Sequence, residues 1–116
     1  MQHITTDQLK VLLEASRGAL PLINTLPEDR FPTTKIAGAH NVPVESSDFP
    51  ERVERLAEGK TQPVVVYCAS RDCPAARRAA ERLTDAGFSD VWYYEGGVRA
   101  WQEAGEPLEG PSDSNP

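Results

Sequence analysis

The chain is poor in three things, and each shortage removes a class of protein. Only two cysteines, Cys68 and Cys73, occur in 116 residues. They are too few for a disulfide-stapled secreted scaffold, and alone too few for a four-ligand zinc site. Long apolar runs are missing. The longest compact stretch, Val64 to Tyr67, is strand-sized and far short of the roughly 18 residues that span a bilayer. Positive charge is also scarce: 12 Lys and Arg face 18 Asp and Glu, for a formal charge of −6. A duplex-binding protein neutralises phosphates with clustered cations, and this balance speaks against that role. Met1 to Thr6 has no basic stretch leading into an apolar one, so no signal peptide is read there. The expectation is a cytoplasmic, soluble protein with reduced thiols and neither membrane nor nucleic-acid partners.

What is present suits one domain. A hydrophobic share of 39% supports a single core at this length. Residues 1–110 are expected to form it. Residues 111–116, rich in Pro, Ser and Asp, are expected to be a flexible tail. No internal repeat is visible.

Thr5 or Thr6 can cap a helix from about Asp7, with Leu9, Leu12, Leu13 and Ser16 at helical spacing and Gly18 as the stop. Leu20 to Asn24 reads as a buried strand, and Pro27 to Pro32 as a charged, proline-bounded loop. A turn and short strand follow over Ile36 to Pro43. Ser47 or Asp48 can cap a helix over about Pro50 to Ala57, with Gly59 beyond its end. Gln62 to Tyr67 is the clearest strand, its three valines suiting a parallel strand covered on both faces. Pro74 to Ala86 is the clearest helix, with Pro74 at its first position and Gly87 closing it. Val91 to Tyr94 is another strand. Gly96-Gly97 then turns into a short helix containing Val98 and Trp101. Alternating strands and helices predict an α/β fold: a mostly parallel central sheet with helices on both faces.

In such sheets ligands sit beyond the carboxyl ends of the strands. That is where Cys68-Ala69-Ser70-Arg71-Asp72-Cys73 falls, between a strand and the helix opened by Pro74. A thiol there can face the unpaired amides of the helix start, which favour a thiolate or a persulfide anion. Arg71 adds a planar cationic fork for an anionic substrate. Asp72 opposes a neighbouring thiolate unless it points to solvent. Free cysteines are often merely buried small hydrophobes; the placement of Cys68 is what sets it apart. His3 and His40 have no metal-ligand spacing with the cysteines, so no metal is expected. Trp92, Trp101, Tyr93 and Tyr94 read as core or half-buried packing.

Four segments together resemble single-domain rhodanese-like sulfurtransferases, over roughly Leu20 to Leu108. They are Pro21-Leu22-Ile23-Asn24, Ile36-Ala37-Gly38-Ala39-His40-Asn41-Val42-Pro43, Val64-Val65-Val66-Tyr67-Cys68, and Tyr94-Glu95-Gly96-Gly97-Val98-Arg99-Ala100-Trp101. They stand in the family's order. The resemblance implies a rhodanese-like fold and sulfane-sulfur transfer without a cofactor. Cys68 would attack a small anionic donor such as thiosulfate, hold the sulfur as a persulfide, and pass it to a thiol or cyanide. A protein donor or acceptor is a further expected partner. Amides of the Ala69, Ser70, Arg71, Asp72 and Cys73 loop would bind the anionic donor. Phosphatases of this fold carry a loop one residue longer that ends in an arginine. Pro74 and Ala75 occupy that place here, so the loop is sized for sulfur.

The chain departs from the family at three points. Many active members carry a basic residue after the cysteine and a glycine in mid-loop, where this chain has Ala69 and Arg71. The first strand, often ending in Asp-x-Arg, here ends Asn24-Thr25-Leu26, which is expected to alter a structural ionic network. Two rivals therefore stand beside the transferase: a non-enzymatic rhodanese module for protein binding or sulfur carriage, and a Cys68/Cys73 redox protein. Cys73 has two readings as well. It is a resolving cysteine for a Cys68 persulfide or sulfenate, or a small residue packed at the helix start. The packing reading is preferred, because bridging depends on a Cα separation that sequence does not supply.

Overall fold

The computed structural model describes residues 2–17 and 19–109. Strand β1 (Gln2–His3) is too short and too polar for any hydrophobic pattern to announce it. Helix α1 (Thr6–Ser16) begins at a capping box: the Thr5 hydroxyl accepts from the Gln8 amide, and the Gln8 side chain accepts from the Thr5 amide. It ends at Arg17 in a left-handed conformation. Gly18, the expected stop, lies outside the described residues, as do residues 110–116 with the expected tail.

Strand β2 (Leu22–Asn24) follows. The stretch expected to be a loop instead winds into a 3-10 turn over Glu28–Thr33. Next come β3 (His40–Asn41), α2 (Phe49–Ala57), β4 (Val64–Tyr67), α3 (Ala75–Asp85), β5 (Val91–Tyr94) and α4 (Gly97–Glu103). Two expected caps differ. Asp48 does precede α2, but its carboxylate bonds the Ser46 hydroxyl rather than a helix amide. Pro74 stands one place before the first residue of α3.

The five strands form one sheet in the order β1-β5-β4-β2-β3, and every pair is parallel. Side chains alternate across it, as strand geometry requires. Val64, Val66 and Cys68 join the core under α2 and α3, while Val65 and Tyr67 join the core under α1 and α4. Cys68 thus continues the alternation of β4 one residue past its end. Ala75, Ala76, Ala79 and Ala80 are buried against that face. Their small side chains let the start of α3 lie close over the strand end.

A neutral polar network stands at the end of β2, where Asn24-Thr25-Leu26 is expected to alter an ionic one. Asn24 is buried, and its Nδ2 donates to the Thr34 carbonyl and hydroxyl and to the Tyr67 hydroxyl at 3.0–3.2 Å. Asn24 Oδ1 accepts the Leu26 amide. The Tyr67 hydroxyl donates to the Thr34 carbonyl and accepts the Ile36 amide. Every buried partner is satisfied, so the network ties β2, β4 and the 3-10 turn together without a buried charge. The Asn24-Thr25-Leu26 departure is therefore compensated within the fold.

Burial pushes the Tyr67 phenol up to about 12, opposed by its bonds from Ile36 and Asn24. The folded state holds this proton more tightly than the unfolded state, whose tyrosine titrates near 10. The associated stability is complete below about pH 10 and is lost as pH rises toward about 12. Urea unfolding should show a declining midpoint across that window. Tyr67→Phe should flatten the decline, while costing about 1–3 kcal/mol at neutral pH because Ile36 and Asn24 lose a partner.

Candidate active site

The Cys68–Cys73 loop leaves the carboxyl end of β4 and enters α3, with α4 packed on its other side. Two hydrogen bonds define it. The Val98 amide donates to the Cys68 carbonyl at 3.0 Å, and the Arg99 amide donates to the Ala69 carbonyl at 2.9 Å. Both donors belong to the first turn of α4, whose amides have no partner within the helix. In a trans peptide the C=O and the following N–H point in opposite directions, and no peptide of the described chain is cis. Drawing the two carbonyls toward α4 therefore turns the amides of Ala69 and Ser70 away from it.

The amides of Ala69, Ser70, Arg71 and Asp72 donate to no protein acceptor among the described residues, whereas the Cys73 amide donates to the Ser70 carbonyl at 3.1 Å. The first turn of α3 adds the amides of Ala75, Ala76 and Arg77, which precede its first helical bond from Arg78 to Pro74. A run of free amides at a helix start favours anions.

Gly97 makes the close approach of α4 possible. Its φ is +61°, and a Cβ on it would collide with the Cys68 carbonyl. Glycine thus serves the backbone twice here, through conformation and through clearance.

The loop side chains divide by exposure. Cys68 is 1% exposed and belongs to the core under α3. Cys73 is half-buried, packed against the same core. The Cα atoms of the two cysteines lie 6.3 Å apart and their Sγ atoms are joined in a disulfide. The preferred packing reading of Cys73 was therefore incomplete: it packs and also bonds Cys68. The turn held by Cys73 and Ser70 supplies the proximity that residue count alone could not.

Arg71 and Asp72 form an exposed ridge. Arg71 Nε lies 4.0 Å from Glu95 Oε2, with the arginine side chain 74% exposed. The fork expected to serve an anion thus leans toward a carboxylate from the end of β5. His3 Nδ1 lies 3.6 Å from the other oxygen of Glu95. Glu95 stands 24 positions from Arg71, and no local spacing could have linked them. Asp72 is exposed, the orientation in which it opposes a thiolate least.

A cleft of about 360 Å³ opens beside Cys73, with Arg71, Arg77, His3 and Glu95 around it. A second, of about 370 Å³, lies across the ridge beside Ser70, Arg99 and Gly96. Cys68 lines neither. A larger crevice of about 520 Å³ lies along α3, away from the loop, where Arg82 already donates to the Val44 and Ser46 carbonyls. Among the described residues no three His, Cys, Asp or Glu side chains gather where a metal could be held, and no helix is long and apolar enough to cross a membrane.

Gly97→Ala should push the first turn of α4 off the loop carbonyls and cost more than the ~1 kcal/mol of a positive-φ substitution alone. Gly105→Ala is the control, since Gly105 has φ +83° and open space around its Cβ position. Denaturant midpoints should fall further for Gly97→Ala, and the reduced protein should show altered thiol alkylation only in that variant.

Comparison with known proteins agrees with this architecture. No curated protein matches the chain. Among solved structures, a rhodanese-like domain from Anabaena sp. superposes with a TM-score of 0.80 at 27% identity, covering 100% of this chain and 84% of that one. A protein from Bacillus halodurans gives 0.80 at 19% identity, covering 94% and 77%. A thiosulfate sulfurtransferase from Pseudomonas aeruginosa gives 0.78 at 26% identity, covering 95% of this chain but only 20% of that one. The profile described as "Rhodanese-like domain" matches residues 5–104, so the chain belongs to the rhodanese-like domain family.

Proposed function

We propose that this protein is a sulfurtransferase whose nucleophile is Cys68 in its reduced form. The observation that carries the reading is the run of unpartnered amides from Ala69 to Asp72, following a cysteine at the end of a central parallel strand. The reduced Cys68 thiolate attacks the outer sulfur of thiosulfate, and sulfite leaves with the bonding pair. The persulfide anion so formed is held by the loop amides and the start of α3. A thiophilic acceptor, cyanide or a thiol, then takes the outer sulfur and Cys68 leaves as thiolate. No step calls for a cofactor.

Two features of the site shape this chemistry. The disulfide to Cys73 must be reduced before Cys68 can act. The acidic surroundings then set donor affinity: with a chain charge of −6, attraction of an anion depends on local cations, and Glu95 draws on the nearest of them.

Thiocyanate formation from thiosulfate and cyanide by the reduced protein tests the reading. Cys68→Ser should lose about 10³-fold or more of the rate. Absence of turnover and of any sulfur adduct in the wild type would instead leave a non-enzymatic binding module. Arg71→Ala should raise KM for thiosulfate and Glu95→Gln should lower it, each by about two- to tenfold at low salt. High salt should compress both effects.

A further inference from the structure

The geometry points to a second step at the same loop: Cys73 resolves the Cys68 persulfide and expels its outer sulfur as hydrosulfide. The protein then converts thiosulfate and a dithiol into sulfite, sulfide and a disulfide. The inference rests on the persulfide proposed above.

Cys73 is bonded to Cys68 Sγ itself, with the Cα atoms 6.3 Å apart. That separation lies within the range a disulfide spans, and the turn from the Cys73 amide to the Ser70 carbonyl holds it. The attack the fold presents is therefore at the inner sulfur of a Cys68 persulfide. In the bonded pair Cys68 is 1% exposed and lines neither neighbouring cleft, so Cys73 is the thiol set nearest its Sγ. Cys73 is already in place, with an effective concentration no free thiol matches.

The atoms balance as follows. The Cys68 thiolate bonds the outer sulfur of thiosulfate, and sulfite departs with the electron pair. The outer sulfur takes a proton from water, and the Cys73 thiolate bonds Cys68 Sγ. The bond from Cys68 to the outer sulfur breaks, and its electron pair leaves on hydrosulfide. The two cysteines lose two electrons and the sulfane sulfur gains them. Recovery needs an external dithiol. Cys73, not Cys68, faces the cleft of about 360 Å³, so the dithiol attacks Cys73 Sγ and frees Cys68 as thiolate. Its second thiol then releases Cys73 and closes the dithiol's own disulfide.

The test uses reduced, desalted full-length protein with a limiting amount of thiosulfate, under anaerobic conditions and without cyanide. Sulfite, sulfide and intact mass are measured together. The wild type should release sulfite and sulfide in equal amounts and end about 2 Da below its reduced mass. Cys73→Ser and Cys73→Ala should release sulfite, retain an adduct of about 32 Da, and give at least about tenfold less sulfide. Sulfite release with a lasting 32 Da adduct and no sulfide in the wild type would overturn the resolving step and leave the persulfide reading standing. A disulfide formed without sulfide would overturn it also. Neither sulfite nor adduct from any variant would overturn both readings.

Discussion

The site depends on two backbone hydrogen bonds, from the Val98 and Arg99 amides of α4 to the Cys68 and Ala69 carbonyls. They join the end of the central strand to the last helix, and they decide which way the loop peptides face. Without them the loop would be free to turn its carbonyls outward, and a carbonyl surface repels the anion that an amide surface favours. Gly97 is the condition for both bonds, because any side chain there meets the Cys68 carbonyl. Gly97 therefore shapes the cysteine loop, although it lies in a different segment from the cysteines.

Behind the loop, the position of Cys68 is held by the sheet. Alternation along β4 sends Val64, Val66 and Cys68 toward α3 and Val65 and Tyr67 toward α4. Tyr67 anchors the far side through Asn24, Thr34 and Ile36. A one-residue slip of register would exchange the two faces and bury Tyr67 where Cys68 belongs. The neutral network thus fixes the register of the strand that leads into Cys68, and it does so with groups that need no counter-charge.

Burial and reactivity pull in opposite directions at Cys68. A thiolate needs polar contacts, yet this sulfur sits at the boundary of an apolar core. The loop amides and the first turn of α3 supply those contacts from one side only. Cys73 covers the sulfur on the other and is itself reached from the cleft beside Arg71. Access to Cys68 is therefore a question of the redox state of the pair as much as of the shape of the neighbouring clefts.

Much of this was readable along the chain, because it depends on local patterning. Three consecutive valines before a cysteine and an alanine-rich helix after Pro74 already define a strand–loop–helix unit, and the segment order defines the family. Other features depend on residues brought together across the fold. Strand β1 carries no apolar pattern and exists only because β5 offers it an edge. The pairing of Arg71 with Glu95, the Asn24 network with Thr34 and Tyr67, and the collision that requires Gly97 all join residues apart in sequence. Cys73 lies between these cases: five residues from Cys68 in the chain, it becomes its bonded partner only through the curvature the loop adopts. The sequence by itself determined the α/β order and the cysteine loop, since strand and helix periodicity are local. The tertiary structure decided which amides are free, which charges meet and which sulfurs touch, since those depend on packing across the sheet.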